Sequence, residues 1–178
     1  MLTIRILLQI IFFKAKPSDV PFSINATTAA FALAWLSGVW LLALIPSNIT
    51  IDPFLFSLLK VATIAFMLWL FLKAHKKSER LHQTLLASFG TLAIIHIAIF
   101  IAFIVGIAIL IPIARIWEFV IQAYIIKHAL NISGSKAFFL TLGIQACIAL
   151  ALVMLFPEQF QEILEQMRET QSQANPAK

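Results

Sequence analysis

The 178-residue chain is 61% hydrophobic and only 12% charged, whereas soluble domains are close to half apolar and a quarter charged. Its mean hydropathy of +0.97 implies more apolar side-chain surface than a soluble core of this size could bury. This excludes a water-soluble globular domain and indicates a protein surrounded by lipid. The net charge of +5 does not indicate nucleic acid, because the cations form short clusters between apolar runs and suit anionic lipid headgroups better.

The N-terminal segment, residues 1–22, begins with 13 mostly apolar residues, too few for a helix that crosses a bilayer. Lys14 and Pro17 follow where a signal peptide would carry small residues. Arg5 and Gln9 share one helical stripe, apart from the apolar side chains. This pattern predicts a helix that lies in the membrane interface.

Residues 23–156 form the predicted transmembrane domain. The apolar stretch 83–126 is too long for one crossing, since its 44 residues would reach about 66 Å as a helix against a hydrocarbon core of about 30 Å. We predict a tight hairpin between 104 and 112, near Gly106 and Pro112; a long tilted helix followed by a re-entrant piece is the alternative. The five predicted spans are 25–46, 54–72, 84–105, 108–127 and 137–156.

Residues 157–178 form a charged tail in which Phe160, Ile163, Leu164 and Met167 recur at helical spacing. This spacing predicts a short amphipathic helix that starts near a proline. The predicted fold class is therefore an all-α integral membrane protein: a five-helix transmembrane bundle with an N-terminal interfacial helix and a C-terminal amphipathic helix.

The basic residues are distributed unevenly about the five predicted spans. Nine of the 13 fall on the N-terminal side: Arg5, Lys14, Lys16, Lys73, Lys76, Lys77, Arg80, Lys127 and Lys136. The positive-inside rule then predicts a cytoplasmic N-terminus and a C-terminus across the membrane, in the bacterial cytoplasmic (inner) membrane. Four spans would move Lys127 and Lys136 to the far side and weaken this bias, which favours five.

A candidate polar cluster of Lys60, His96, Arg115, Glu118 and Gln122 lies within the predicted spans. A charged side chain near the bilayer centre costs about 2.5–3.5 kcal/mol on insertion scales, so each needs a partner, water or a role. With the hairpin in place, His96, Arg115 and Glu118 share one depth. One interpretation is a site for an ion, a proton relay or a lipid headgroup, with His96 titrating. The other is helix packing, with Arg115 paired to Glu118 and Lys60 reaching outward.

The connector after the second span, KAHKKSERLH, is the most polar segment of the embedded region. Its cations, Lys73, Lys76, Lys77 and Arg80, predict a loop that contacts lipid headgroups or a partner protein. The expected partners are therefore the lipid bilayer with its anionic headgroups and, beyond it, other membrane proteins or a second copy of the chain, with no nucleic acid.

Signatures of soluble enzymes do not occur: there is no G-x-x-x-x-G-K-[ST], G-x-G-x-x-G, H-E-x-x-H or C-x-x-C. The sequence therefore predicts no catalytic residue, no cofactor and no metal site. The first functional hypothesis is a non-enzymatic membrane scaffold or assembly factor. The rival is a small transporter or channel that uses His96, Arg115 and Glu118; a third, a membrane-embedded enzyme acting on lipid, has no nucleophile and base pair to name.

The order of spans and connectors is itself distinctive. A Lys16-Pro17 motif precedes the spans, the segment ERLHQTLLASFGTLAIIHIA begins the third, and IWEFVIQAYIIKHALNISGSKAFFLTL closes the fourth and opens the fifth. This layout, over most of residues 14–156, resembles the Ypt-interacting protein (YIP) domain family, especially its small bacterial members. The D-L-Y-G-P signature of eukaryotic members is missing. The resemblance implies a multispan membrane scaffold that binds partners, and for bacterial relatives little beyond a membrane location.

Overall fold

The computed structural model describes residues 2–43, 52–107, 109–157 and 161. Within them the chain forms α-helices and two short 3₁₀ turns, at Pro17–Asp19 and Ser78–Arg80, with no strand. The helices are α1 (Leu2–Ile11), α2 (Ile24–Ala43), α3 (Pro53–Ala74), α4 (Leu81–Ile104), α5 (Leu110–Leu130) and α6 (Gly134–Leu155).

Four of these helices are long and apolar enough to cross a membrane: α2, α3, α4 together with its preceding turn, and α6. The predicted all-α fold is confirmed, and these four helices are compatible with the predicted membrane insertion. α5 has 21 residues but carries three charges, Arg115, Glu118 and Lys127, and stands outside this group, so the fifth crossing stays a prediction. The end of the predicted span 25–46 and nearly all of the predicted C-terminal amphipathic helix lie outside the described residues.

The fold is built around α4, which packs against α1, α2, α3 and α5. Small residues on α4, including Ala87, Ser88 and Gly90, are fully or almost fully buried, and small side chains let neighbouring helices approach closely. The side chain of Leu7 in α1 rests directly on Gly90. α4 therefore forms the core on which α1, α2, α3 and α5 assemble, and α6 packs outside it against α3 and α5.

The turn between α4 and α5 falls inside the interval in which the sequence predicts a hairpin. Gly106 adopts φ +79°, and the amides of Gly106 and Ile107 donate to the carbonyl oxygens of Phe103 and Ala102 at 3.1 and 2.9 Å. This is the hydrogen-bond pattern of a helix end closed by a left-handed glycine, which only glycine adopts without strain. The chain reverses there and α5 returns beside α4.

Three polar connectors meet at one end of the bundle. The Lys77 ammonium donates to the carbonyl oxygen of Leu130, the Gln83 amide donates to that of Val20 at 2.9 Å, and the Thr27 hydroxyl donates to that of His82 at 3.3 Å. The segments after α1, α3 and α5 therefore share this end, called the basic end below. The α4–α5 turn lies at the opposite end.

The N-terminal helix α1 is docked onto the bundle. Leu7, Ile10 and Ile11 are buried, and the Tyr124 hydroxyl of α5 donates to the carbonyl oxygen of Ala15 at 3.2 Å. Other apolar side chains of α1, such as Leu2 and Ile4, remain exposed. α1 thus has one face on protein and one facing outward, and its position in the membrane interface remains a prediction.

Candidate functional site: a buried polar cluster

Glu118 of α5 is the centre of the site, with only 6% of its surface exposed. Its Oε1 accepts a hydrogen bond from Lys60 Nζ of α3 at 2.8 Å, and its Oε2 accepts one from Arg115 Nη1 at 2.9 Å. Both oxygens of one carboxylate are thus held by cations, and charge-assisted hydrogen bonds of this kind are among the strongest in proteins. The arrangement joins α3 to α5.

His96 brings α4 and α2 to the same place. Its Nδ1 lies 3.0 Å from the hydroxyl oxygen of Ser37 in α2, and its Nε2 lies 3.5 Å from Arg115 Nη1 and 3.9 Å from Glu118 Oε2. The imidazole is 2% exposed. Four of the five predicted members, Lys60, His96, Arg115 and Glu118, therefore meet, and they are called the polar cluster below.

Gln122, the fifth predicted member, lies apart from the cluster. It accepts a short hydrogen bond from the Ser88 hydroxyl and donates one to the Ser88 carbonyl oxygen at 3.3 Å. Because α4 and α5 run antiparallel, each α5 side chain faces the α4 residue at its own level. At the level of Gln122 that residue is Ser88, which lies about two helical turns before His96 in α4.

Small and hydroxyl residues that were not among the predicted site residues complete the site. A side-chain carbon added at Gly38 would collide with the Ser57 hydroxyl and touch the His96 ring, so α2, α3 and α4 approach closely here. The Ser57 hydroxyl donates to the carbonyl oxygen of Trp35 at 2.7 Å. The sequence feature that could have identified these residues is the Ser37-Gly38 pair in an otherwise apolar run, because small and hydroxyl residues mark helix contacts in membranes.

Two clefts reach the polar cluster. The larger, about 430 Å³, exposes Lys60, Arg115, Glu118 and the amide of Gln145; its apolar lining is Leu42, Phe56, Phe119 and Ile148. It is called the cationic cleft below. The second, about 310 Å³, is lined by the polar residues Ser37 and His96 and by the apolar residues Leu33, Leu36, Trp40, Ile97 and Phe100. The cluster can thus be approached by a small ligand from either cleft.

The basic connector is partly used within the fold. Lys77 donates to the carbonyl oxygen of Leu130, and Arg80 Nη1 lies 3.5 Å from that of Ala129, so both cations meet the carbonyl end of α5, where positive charge is favoured. The Lys73 Nζ atom lies 4.8 Å from the centroid of the Trp69 ring. Lys73 and Lys76 are exposed. Of the four cations predicted to meet headgroups or a partner, these two are the most accessible.

Within the described residues, no group of three or more histidine, cysteine, aspartate or glutamate side chains could hold a metal ion. Comparison of the chain with protein-family models, curated proteins and solved structures finds no match. The resemblance to the YIP domain family therefore stays a prediction from the quoted segments.

Proposed function

We propose that this chain is a multispan, non-enzymatic membrane scaffold or assembly factor, similar in kind to the YIP domain family. The observation that carries the proposal is the double engagement of Glu118, whose two oxygens are held by Lys60 and Arg115. A carboxylate held in this way ties helices together, whereas a carrier of ions or protons needs a group that can exchange its partner. The buried charges thus serve the integrity of the bundle.

The proposal includes α5 as a fifth crossing. Ser88 pairs with Gln122 and His96 with Arg115, so α5 runs back along α4 over most of its length. A helix that follows a membrane-crossing neighbour in this way crosses with it. Its buried charges are tolerated because they face the bundle interior and bind one another.

The proposed orientation places the basic end in the cytoplasm of a bacterial cell. The connectors at this end carry or adjoin Lys73, Lys76, Lys127 and Lys136, and the positive-inside rule assigns such an end to the cytoplasmic side. The C-terminus then lies across the membrane. Lys73 and Lys76, with anionic headgroups or a partner protein in reach, are the proposed contact points.

Site-specific photocrosslinking in native membranes tests the scaffold function. A photoreactive residue at position 76 is expected to give a reproducible protein adduct, while the same residue at the exposed position 142 of α6 is the lipid-facing control. Adducts to lipid alone at both positions would count against a partner-binding role.

A small transporter or channel is the second candidate, and the two clefts that reach the polar cluster favour it. Purified protein in sealed liposomes, with a pH-sensitive dye inside, separates the two functions. A scaffold is expected to give no proton flux above that of empty vesicles. Flux that is present with the wild type and lost with Glu118→Gln would overturn the scaffold proposal.

A further inference from the structure

We propose that the cationic cleft binds a phosphate oxyanion, carried either by a lipid headgroup or as free inorganic phosphate. The described residues that line the cleft include two cations, Lys60 and Arg115, and one carboxylate, Glu118. A positive charge is therefore left over whichever protonation state His96 adopts. This site goes beyond the scaffold function and does not depend on it.

Residues that line the cleft have hydrogen-bond donors to spare. Among the described residues, Arg115 makes hydrogen bonds only through Nη1, to Glu118 and His96, although a guanidinium carries five N–H donors in a planar fork suited to phosphate. The Arg115 side chain is 37% exposed. Lys60 has three donors, of which one hydrogen bond goes to Glu118, and the Gln145 amide adds a neutral donor to the lining.

The shape of the cleft suits a ligand with a charged head and an apolar body. Leu42 is next to last in the described part of α2 and Phe56 is the fourth residue of α3, so the cleft extends toward the end of the bundle opposite the basic end. Phe119 and Ile148 supply further apolar surface. An excess charge among apolar helices is costly without a counter-ion, and a phosphate that enters from that end would neutralise it.

The test uses the full-length protein purified in an uncharged detergent, with phosphatidylglycerol and inorganic phosphate titrated in separate experiments at fixed ionic strength. The wild type is expected to bind one of these probes saturably. Arg115→Gln should weaken that binding at least about tenfold, the usual effect of losing a hydrogen bond between charged groups. Lys136→Gln, which removes the same charge from an exposed site near the start of α6, is the matched control and should leave binding unchanged.

The direction in which Glu118→Gln changes the affinity for the phosphate probe separates a binding site from a purely structural cluster. It removes the internal carboxylate that competes for Lys60 and Arg115, so the folded variant should bind the phosphate probe several-fold more tightly, as expected for the gain of a charge-assisted contact. A purely structural role for Glu118 would instead weaken binding. Circular dichroism and size exclusion establish that each variant is folded before titration.

Binding of the lipid alone assigns the site to a headgroup, and binding of inorganic phosphate assigns it to the free anion. No saturable binding of either probe, or equal losses with Arg115→Gln and Lys136→Gln, would overturn the proposal. If Arg115→Gln does not fold, Gln145→Leu replaces it, because this change removes a hydrogen-bond donor of the cleft without altering an ion pair. Unchanged binding in Gln145→Leu, together with no gain in affinity in Glu118→Gln, would also overturn the proposal.

Discussion

Lys60 of α3 and Glu118 of α5 are 58 positions apart in the chain, yet the Lys60 Nζ and Glu118 Oε1 atoms lie 2.8 Å apart. The two side chains are only 15% and 8% exposed. A charge buried among apolar helices must find a partner, and each of these residues supplies one for the other. α5 carries more charges than its neighbours, and this pair holds it to α3.

Lys60→Met is expected to destabilise the folded bundle by about 1–3 kcal/mol, because Glu118 loses the donor to one buried oxygen while Arg115 still neutralises its charge. The measurement is the free energy of unfolding in mixed micelles as the fraction of SDS is raised. Lys73→Met, on the exposed end of the same helix, is the control and should stay within about 0.5 kcal/mol of the wild type. Equal losses in the two variants would contradict a role for the Lys60–Glu118 pair.

Gly38→Ala and Gly143→Ala form a matched pair of substitutions within helices. The added carbon at Gly38 would collide with the Ser57 hydroxyl, whereas at Gly143 nothing lies within 4 Å. Gly38→Ala should therefore destabilise the protein by about 1–3 kcal/mol, and Gly143→Ala should be neutral or stabilise it by up to about 1 kcal/mol through helix propensity. Thermal unfolding in detergent measures both, and a shift of the same sign would show that α2 does not pack so closely.

Hydropathy and chain length were enough to place the helices, because the distance across a bilayer fixes how long an apolar run must be. The predicted span 54–72 corresponds to α3 at Pro53–Ala74. The level shared by His96 and Glu118 followed from their similar spacing about the turn at Gly106. Gln122 was grouped with the cluster because it shares the helix face of Glu118, but it lies one turn farther along α5, at the level of Ser88.

The positions of the connectors were harder to predict. Lys77 lies 53 positions from Leu130, and only the packing order of the helices reveals that its ammonium meets the carbonyl end of α5. Ser37 escaped selection for the same reason: an isolated hydroxyl in an apolar run gives no indication of which neighbouring helix it faces. Such pairings depend on which helices are adjacent, and hydropathy does not determine adjacency.

Lys77 and Lys76 are expected to differ in chemical reactivity although they are neighbours in the chain. The Lys77 ammonium donates to the Leu130 carbonyl oxygen and is half-buried, while Lys76 is exposed. Limited acetylation of the folded protein, followed by peptide mass spectrometry, should modify Lys76 several-fold faster, since a hydrogen-bonded amine must first leave its partner. In denaturant the two rates should converge. Equal rates in the folded protein would mean that Lys77 does not hold the end of α5.

Ser88 and Gln122 form a buried pair between α4 and α5, exposed by 0% and 6% respectively, and a double-mutant cycle tests what it contributes. Gln122→Leu leaves the Ser88 hydroxyl to seek another acceptor, and Ser88→Ala leaves the Gln122 amide oxygen without its donor. Each single change should destabilise the bundle by about 1–3 kcal/mol, the cost of a buried polar group without a partner.

The double variant, Ser88→Ala with Gln122→Leu, should lose less than the sum of the two single losses, because no unpaired side-chain group then remains and apolar surfaces replace the pair. Unfolding in mixed SDS micelles measures all four proteins under one condition. Strictly additive losses would indicate that the two side chains act independently, and α5 would then be held beside α4 by the polar cluster and apolar packing alone.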